Sequence, residues 1–473
     1  MIRIDRLEWF ERPLRTRLPF RYGIAVMTEV PHVWVNVHAV IDGERVPGRA
    51  ADHLPPKWFT KNPDRPVDEE IDEMRDVLRQ GSAHAAGLES GTFAALVEEL
   101  YRRQASSAKA RHWPPLLANF GCSLVERALL DAYCRRHGQT LHDVVRSGAL
   151  GLDLGAFHPE LAGSTPADWL PERPLPSVTC RHTVGLADPL EEDDVDPTGR
   201  PADGLPVALA SVIRAYQLRH FKIKVSGSED GLERLQRAVA VIHRETGGEF
   251  AASLDGNETF LTVEAFQAFW ARAQQVSGLT ALWPRLLFVE QPFARSIALS
   301  DAVAAALSAW EQRPRLLIDE SGAESEDLRR ALAAGYVGTS HKNCKGVLHG
   351  IANACRLAQL RREQPQGPWM MSGEDLANVG PVALPQDLAV QALLGNASVE
   401  RNGHHYFSGL AAWPEDVQAH VLEAYPDLYQ KTPDGWPSLR ITSGQIELAG
   451  VNQAAFGGPW AAWDAVEQPW LTN

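Results

Sequence analysis

The chain has 473 residues, 44% hydrophobic and 22% charged, the composition of a folded globular protein with length for two or three domains. Its net charge of -14, from 60 acidic and 46 basic residues, argues against wrapping nucleic acid or an anionic membrane. Its five cysteines (Cys122, Cys134, Cys180, Cys344 and Cys355) form no C-x-x-C pair, which argues against a disulfide framework or zinc ribbon and suits a reducing compartment.

The opening MIRIDRLEWFERPLR breaks its apolar residues with charges, so no signal peptide is expected there. No stretch approaches the roughly 18 apolar residues of a membrane span. A cytoplasmic protein is the expectation. Residues 2–10 alternate, and VWVNVHAVI from Val33 to Ile41 is a strong β run closed by Asp42-Gly43, a hairpin signal. Residues 68–110 have helical period. Residues 122–136 place Leu124, Ala128 and Ala132 on one helical stripe, with Gly138 as the C-cap. Residues 1–150 thus read as an α+β unit, and 151–176, rich in Gly and Pro, as a connector. Residues 187–206 (ADPLEEDDVDPTGRPADGLP) read as a long, solvated acidic loop.

From residue 177 the pattern changes. Short apolar runs alternate with helical stretches: SVTCRHTV, HFKIKV, FAASLD, RLLFVE, RLLIDE, YVGTSHK and PWMMSG, with helices over 229–245, 262–276, 297–309, 325–334 and 346–361 among them. Ser325 is the expected cap of the fourth of these helices and Gly335 its end. Strand–helix alternation repeated this often predicts a parallel sheet closed into a barrel, here over 177–420. Residues 421–473 lack a clean period. With Trp436, Trp460, Trp463 and Trp470, following Trp413, they are expected to pack back on the first unit.

Charged residues close the predicted strands: Lys222 and Lys224, Asp255, Glu290, Asp319 and Lys342. Their separations are 31, 35, 29 and 23 residues (255−224, 290−255, 319−290, 342−319). An eight-unit barrel repeats about every 31 residues, and its active site is built from C-terminal strand ends. Counting SVTCRHTV as the first strand, the lysine pair is on the second and Lys342 on the sixth, diametrically opposed, with three carboxylates between them. Three convergent carboxylates require a cation, and all-oxygen ligands select a hard ion, Mg²⁺. The expected lysine pKa values are depressed by the metal and by one another, so that a neutral amine can take the α-proton of a metal-bound carboxylate and give an enediolate. Singly, each motif reads as an ordinary strand end or turn; the ordered set points to function.

The motifs Lys222-Ile223-Lys224, Asp255-Gly256-Asn257, Val289-Glu290-Gln291-Pro292, Ile318-Asp319-Glu320-Ser321 and His341-Lys342, followed by Lys345-Gly346, carry a resemblance. The barrel half resembles the enolase superfamily, closest to its muconate-lactonizing and mandelate-racemase-like branch. Pro19 to Val30 resembles the substrate-covering loop of that family, and residues 122–145 its cap helix. The resemblance implies an α/β fold: a (β/α)₇β TIM-like barrel with an α+β N-terminal capping domain completed by the C-terminal segment. It implies Mg²⁺ on Asp255, Glu290 and Asp319, with Lys224 and Lys342 as opposed acid/base groups. Lys222 is implied near the substrate carboxylate and Asn257 beside the metal. A racemase or epimerase is the first reading. A dehydratase acting on acid sugars, a cycloisomerase, or a non-catalytic binding relative are the alternatives. A homo-oligomer acting on a small carboxylate is also implied.

The sequence departs from the family at the seventh strand, where Met371-Ser372-Gly373-Glu374-Asp375-Leu376-Ala377-Asn378 displaces the usual Glu. Glu374 is displaced there, and Asp375 or Asn378 are candidates for its role. His341 stands where an aliphatic residue is common. Arg17, Arg21 and Tyr22 of the covering loop, Trp58 with Phe59, and His404 with His405 are candidate substrate contacts. No P-loop, G-x-G-x-x-G, H-E-x-x-H or G-x-S-x-G motif is found.

Overall fold

Alternation of apolar and polar side chains runs well past residue 10. In the computed structural model, which describes residues 1–456, 458 and 469–472, strand β1 spans Ile2–Tyr22. It pairs antiparallel with β2 (Ala25–Ile41), which pairs antiparallel with β3 (Glu44–His53). Asp42 and Gly43 both take positive φ (51° and 83°), the conformation that a two-residue hairpin matched to strand twist demands. The two-residue period of β1 turns Leu14, Leu18, Phe20 and Tyr22 inward and Arg15, Pro19 and Arg21 outward.

Three helices accompany this sheet. The helical stretch expected over 68–110 is two helices, α1 (Val67–Ala85) and α2 (Phe93–Arg111), broken by Gly87 at φ 72° and restarted by Thr92, whose hydroxyl accepts from the Ala95 amide. The third helix, α3 (Pro115–His137), ends on Gly138 at φ 60° and packs closely on β3. A Cβ on Gly48 would lie 2.1 Å from the Ala128 carbonyl oxygen and 2.4 Å from the Ala132 amide nitrogen. The small side chains of the predicted stripe permit that approach.

Eight parallel strands form a closed barrel: Ser177–Val184, His220–Lys224, Ala251–Asp255, Leu286–Glu290, Leu316–Ile318, Gly338–His341, Met370–Gly373 and Ser398–Arg401. The eighth pairs with the first, Arg401 opposite His182, so the sheet has no parallel edge left open. Intervening helices begin and end on local chemistry. Ser228 accepts from the Gly231 amide at 3.1 Å, and Gly247 closes the same helix at φ 63°. Two helix expectations differ in detail. The stretch 297–309 is two pieces, Arg295–Ala298 and Asp301–Ser308, the second capped by Ser300. Ser325 caps nothing; Asp327 accepts from the Ala323 and Glu324 amides at 3.0 and 2.8 Å instead.

The C-terminal segment touches both bodies. Gln445–Glu447 pairs antiparallel with the first barrel strand at Ser177–Thr179, and Leu471–Thr472 pairs with β1 at Glu8 and Trp9. Trp413 packs between His32 and Trp34 of β2, with ring centroids 5.7 and 5.8 Å away. Trp460 and Trp463 lie outside the described residues. All five cysteines are free and buried. Among the described residues no helix is long and apolar enough to cross a membrane.

Candidate active site

Register brings the charged strand ends together. Lys224 pairs with Asp255, and Asp255 with Glu290, across adjacent strands; Asp319 follows the fifth strand directly and Lys342 the sixth. Lys222, two residues before Lys224, points the same way into the barrel. It is 1% exposed, and its Nζ lies 2.9 Å from Asp255, 2.8 Å from Glu290, 2.7 Å from Glu374 and 3.2 Å from Glu400. Burial alone would drive this ammonium toward neutrality. The four carboxylates outweigh burial and hold its pKa well above the ordinary lysine value.

Lys224 donates to Asp255 Oδ2 at 2.6 Å. On the far side of the ring, Lys342 donates to Asp319 Oδ2, with its Nζ 4.5 Å from the centroid of the Trp58 ring. Lys345 reaches the same aspartate: its Nζ donates to the Asp319 carbonyl at 2.6 Å and to Ser340 Oγ at 2.8 Å, and lies 2.8 Å from Asp319 Oδ1. Burial opposes the charge on Asp319, but Lys342, Lys345 and Lys222 outweigh it and hold its pKa well below the usual carboxylate range. Beside these carboxylates, Lys222 and Lys342 show no depression of the kind expected from the sequence. Burial lowers Lys342, but Asp319 more than reverses this and keeps it protonated.

Glu290 is the exception among the carboxylates. It is fully buried, and neither carboxylate oxygen has a hydrogen-bond donor; Lys222 is the cation beside it. Burial, and then the neighbouring Glu374, push its pKa well above the ordinary value. Beside the set, burial and then Asp319 raise Glu320 to about 7.

One cavity gathers much of the predicted site. Tyr22, Trp58, Lys222, Lys224, Asp255, Asn257, Lys342 and Asp375 line it, together with Phe20, Met27, His53, Pro55, Leu376, Ala377, Glu400 and Asn402. Glu290 and Asp319 do not reach its surface; each stands behind a lysine. Four of the candidate substrate contacts lie off its lining. Arg21 is exposed, because strand alternation points it away from Phe20 and Tyr22. Arg17 is buried against Asp203 of the acidic loop, which is thus not wholly solvated. Glu374 lies outside the cavity lining, bound to Arg181 and Lys222. His404 packs on His182 and Tyr216, also away from the lining. Asn378 donates to Asp52 at 3.2 Å, and His341 is a packing residue bonded to Asn343.

Glu400 was missed. It is the penultimate residue of the eighth strand, accepts from Thr183 Oγ1 at 2.6 Å, and faces Lys222. A search for carboxylates within one residue of each strand end would have found it. Lys345 could have been suspected only as a third lysine after the sixth strand, and His53 not at all.

No family model matches the chain, and no curated protein matches by sequence. Solved structures do. A mandelate racemase/muconate lactonizing protein from Herpetosiphon aurantiacus shares 15% identity at TM-score 0.60, covering 97% of this chain and 99% of that one. An N-succinyl Arg/Lys racemase from Bacillus cereus shares 15% identity at TM-score 0.61, covering 100% and 99%. A dipeptide epimerase from Cytophaga hutchinsonii, solved with Mg and D-Ala-L-Val, shares 16% identity at TM-score 0.56, covering 98% and 97%. The architecture is that of a capped (β/α)₇β barrel with charged strand ends. This chain has the fold of the mandelate racemase/muconate lactonizing branch of the enolase superfamily.

Among the described residues no three Asp, Glu, His or Cys side chains stand in an arrangement that could hold a metal ion. The expected carboxylate cluster is divided: Lys222 bridges Asp255 and Glu290, while Asp319 turns to Lys342 and Lys345. The donor chemistry nonetheless fits a hard divalent cation. The carboxylates are all oxygen donors on neighbouring strand ends, and the fully buried Glu290 carboxylate, which has no hydrogen bond and only Lys222 as a cation beside it, calls for positive charge.

Proposed function

We propose that this chain is a Mg²⁺-dependent enzyme that moves the proton α to the carboxylate of a small acid, as a racemase or epimerase. One observation carries the reading: Lys224 and Lys342, from diametrically opposed barrel strands, line the same cavity. A substrate carbon between them has an amine on each face. One lysine takes the proton and the other returns one, so that configuration inverts. Trp58 beneath Lys342, and Asp255 beside Lys224, fix the direction of each amine. Asp255, Glu290 and Asp319 would hold the cation, with Lys345 positioning Asp319 through its carbonyl. Mg²⁺ would supply positive charge to the substrate carboxylate and so stabilise the negative charge that proton loss creates. Lys222, held charged among four carboxylates, adds a second positive centre. The racemase and epimerase named among the solved neighbours, one of them solved with Mg, support this reading.

The test is incubation of a broad panel of carboxylic acids in deuterated water with Mg²⁺. Deuterium at the α-carbon, lost in both Lys224→Ala and Lys342→Ala, is expected. Absence of exchange with every acid of the panel would defeat the proposal.

A further inference from the structure

We infer that the acid turned over here is compact and ends in hydrocarbon, an aryl or branched alkyl group, with neither a second charge nor a run of hydroxyls at its far end. This rests on the carboxylate chemistry proposed above and concerns the part of the substrate that the lysines do not touch.

The cavity has two unlike sides. The barrel side presents Lys222, Lys224, Lys342 and Asp255, with Asn257, Asp375, Glu400 and Asn402. The cap side presents Phe20, Tyr22, Met27, Pro55 and Trp58. Apart from the Trp58 indole N–H, the polar side-chain atoms on the cap side are already engaged. The Tyr22 hydroxyl donates to the Pro56 carbonyl at 2.8 Å. His53 also stands there, and burial lowers its pKa to about 4, so it is neutral. Its Nε2 lies 3.1 Å from the Ala377 carbonyl and must donate to it. Its Nδ1 is then an acceptor, and the His32 Nδ1 at 3.3 Å must donate. This tautomer assignment leaves His32 Nε2 as the bare acceptor, and that atom has no partner in the structure. His53 therefore offers a substrate no free polar atom.

Beyond the barrel lysines, of which Lys342 lies against Trp58, the cations near that wall are paired or turned away from it. Arg17 is bound to Asp203, and Arg21 is exposed. Lys61 donates to the Asn257 carbonyl and lies 3.6 Å from Glu258, which Arg295 also holds. A second carboxylate at this wall would be buried with no cation of its own, and a run of hydroxyls would lose more water contacts than the Trp58 indole N–H can replace. A hydrocarbon group meets neither penalty. The cavity is small, about 50 Å³, so the acid it takes is compact. The same wall disfavours acid sugars.

Calorimetry in the presence of Mg²⁺ tests this with four acids sharing one 2-hydroxycarboxylate head: 3-phenyllactate, 2-hydroxy-3-methylbutanoate, malate and gluconate. The first two are expected to bind at least about ten-fold tighter than the last two. Malate or gluconate binding as tightly, or neither apolar acid binding below about 10 mM, overturns the inference. Met27→Lys places a cation in the wall and is expected to reverse the order of 3-phenyllactate and malate, whereas Met27→Leu preserves it. An unchanged order in folded Met27→Lys also overturns it. Deuterium exchange on the same acids separates the two claims. Tight apolar binding without exchange removes proton abstraction and leaves the wall; exchange fastest on malate or gluconate removes the wall and leaves proton abstraction.

Discussion

Arg17 of the capping sheet and Asp203 of the first barrel loop form a buried two-pronged ion pair, Nε to Oδ2 at 2.6 Å and Nη2 to Oδ1 at 3.0 Å. Arg17 also donates to the His405 carbonyl at 2.9 Å. Three residues along β1, Phe20 stacks on Tyr406 at 4.0 Å, and the Tyr406 hydroxyl donates to Asp188 Oδ2 at 2.6 Å. The acidic stretch, at its two ends, thus clamps the hairpin that carries Phe20, Tyr22 and Met27 over the cavity.

Removing one partner should leave the other charge buried. Asp203→Ala is expected to lower the unfolding free energy by about 3 kcal/mol, while Arg17→Met with Asp203→Leu recovers most of it. Urea denaturation of the three proteins measures both; a change under about 0.5 kcal/mol in Asp203→Ala would mean the clamp is not stabilising.

Gly48 is fixed by sterics rather than by turn geometry. Gly48→Ala would press its Cβ into the backbone of α3 at Ala128 and Ala132, atoms that cannot swing aside as a side-chain end can. We expect a loss of about 3 kcal/mol, read as a drop in melting temperature, with the barrel residues untouched.

Burial lowers His182 to about 3 in the folded chain, against 6.5 for an unfolded histidine. The folded state then binds fewer protons than the unfolded state between those values. This residue's contribution is complete above pH 6.5 and is lost as pH falls below it. Relative to His182→Gln, the parent should lose about 1.4 kcal/mol of stability between pH 7.5 and 5.5. Paired urea titrations at the two pH values check this, and a pH-independent difference would refute it.

Lys345 positions Asp319 without lining the cavity. Lys345→Met is expected to weaken Mg²⁺ binding by about 10- to 100-fold, and Glu290→Gln by about 100-fold or more. Calorimetry with Mg²⁺ alone reads this independently of turnover. Wild-type affinity in both variants would place the cation elsewhere.

The chemistry-bearing strand ends were legible because barrel periodicity is a sequence property: one charged residue about every 31 positions needs only the count. Phe20 and Tyr22 were partly legible, since the two-residue period of β1 also predicts that Arg21 faces out. Arg17 was not. A buried arginine and a solvent-facing one look alike until the partner, here Asp203 and 186 residues away, is placed. The wall containing His53 was hidden for the same reason, because its ring nitrogens are committed to His32 and to the distant Ala377.

By itself, then, the order of residues determined the barrel, its cap and which charged groups end its strands, because local periodicity and turn chemistry act over a few residues at a time. Only the closed tertiary structure decided which of those charges neutralise one another, and that the cap wall carries no free cation. Ion pairing and burial depend on distances between residues far apart in the chain, and folding alone sets those distances.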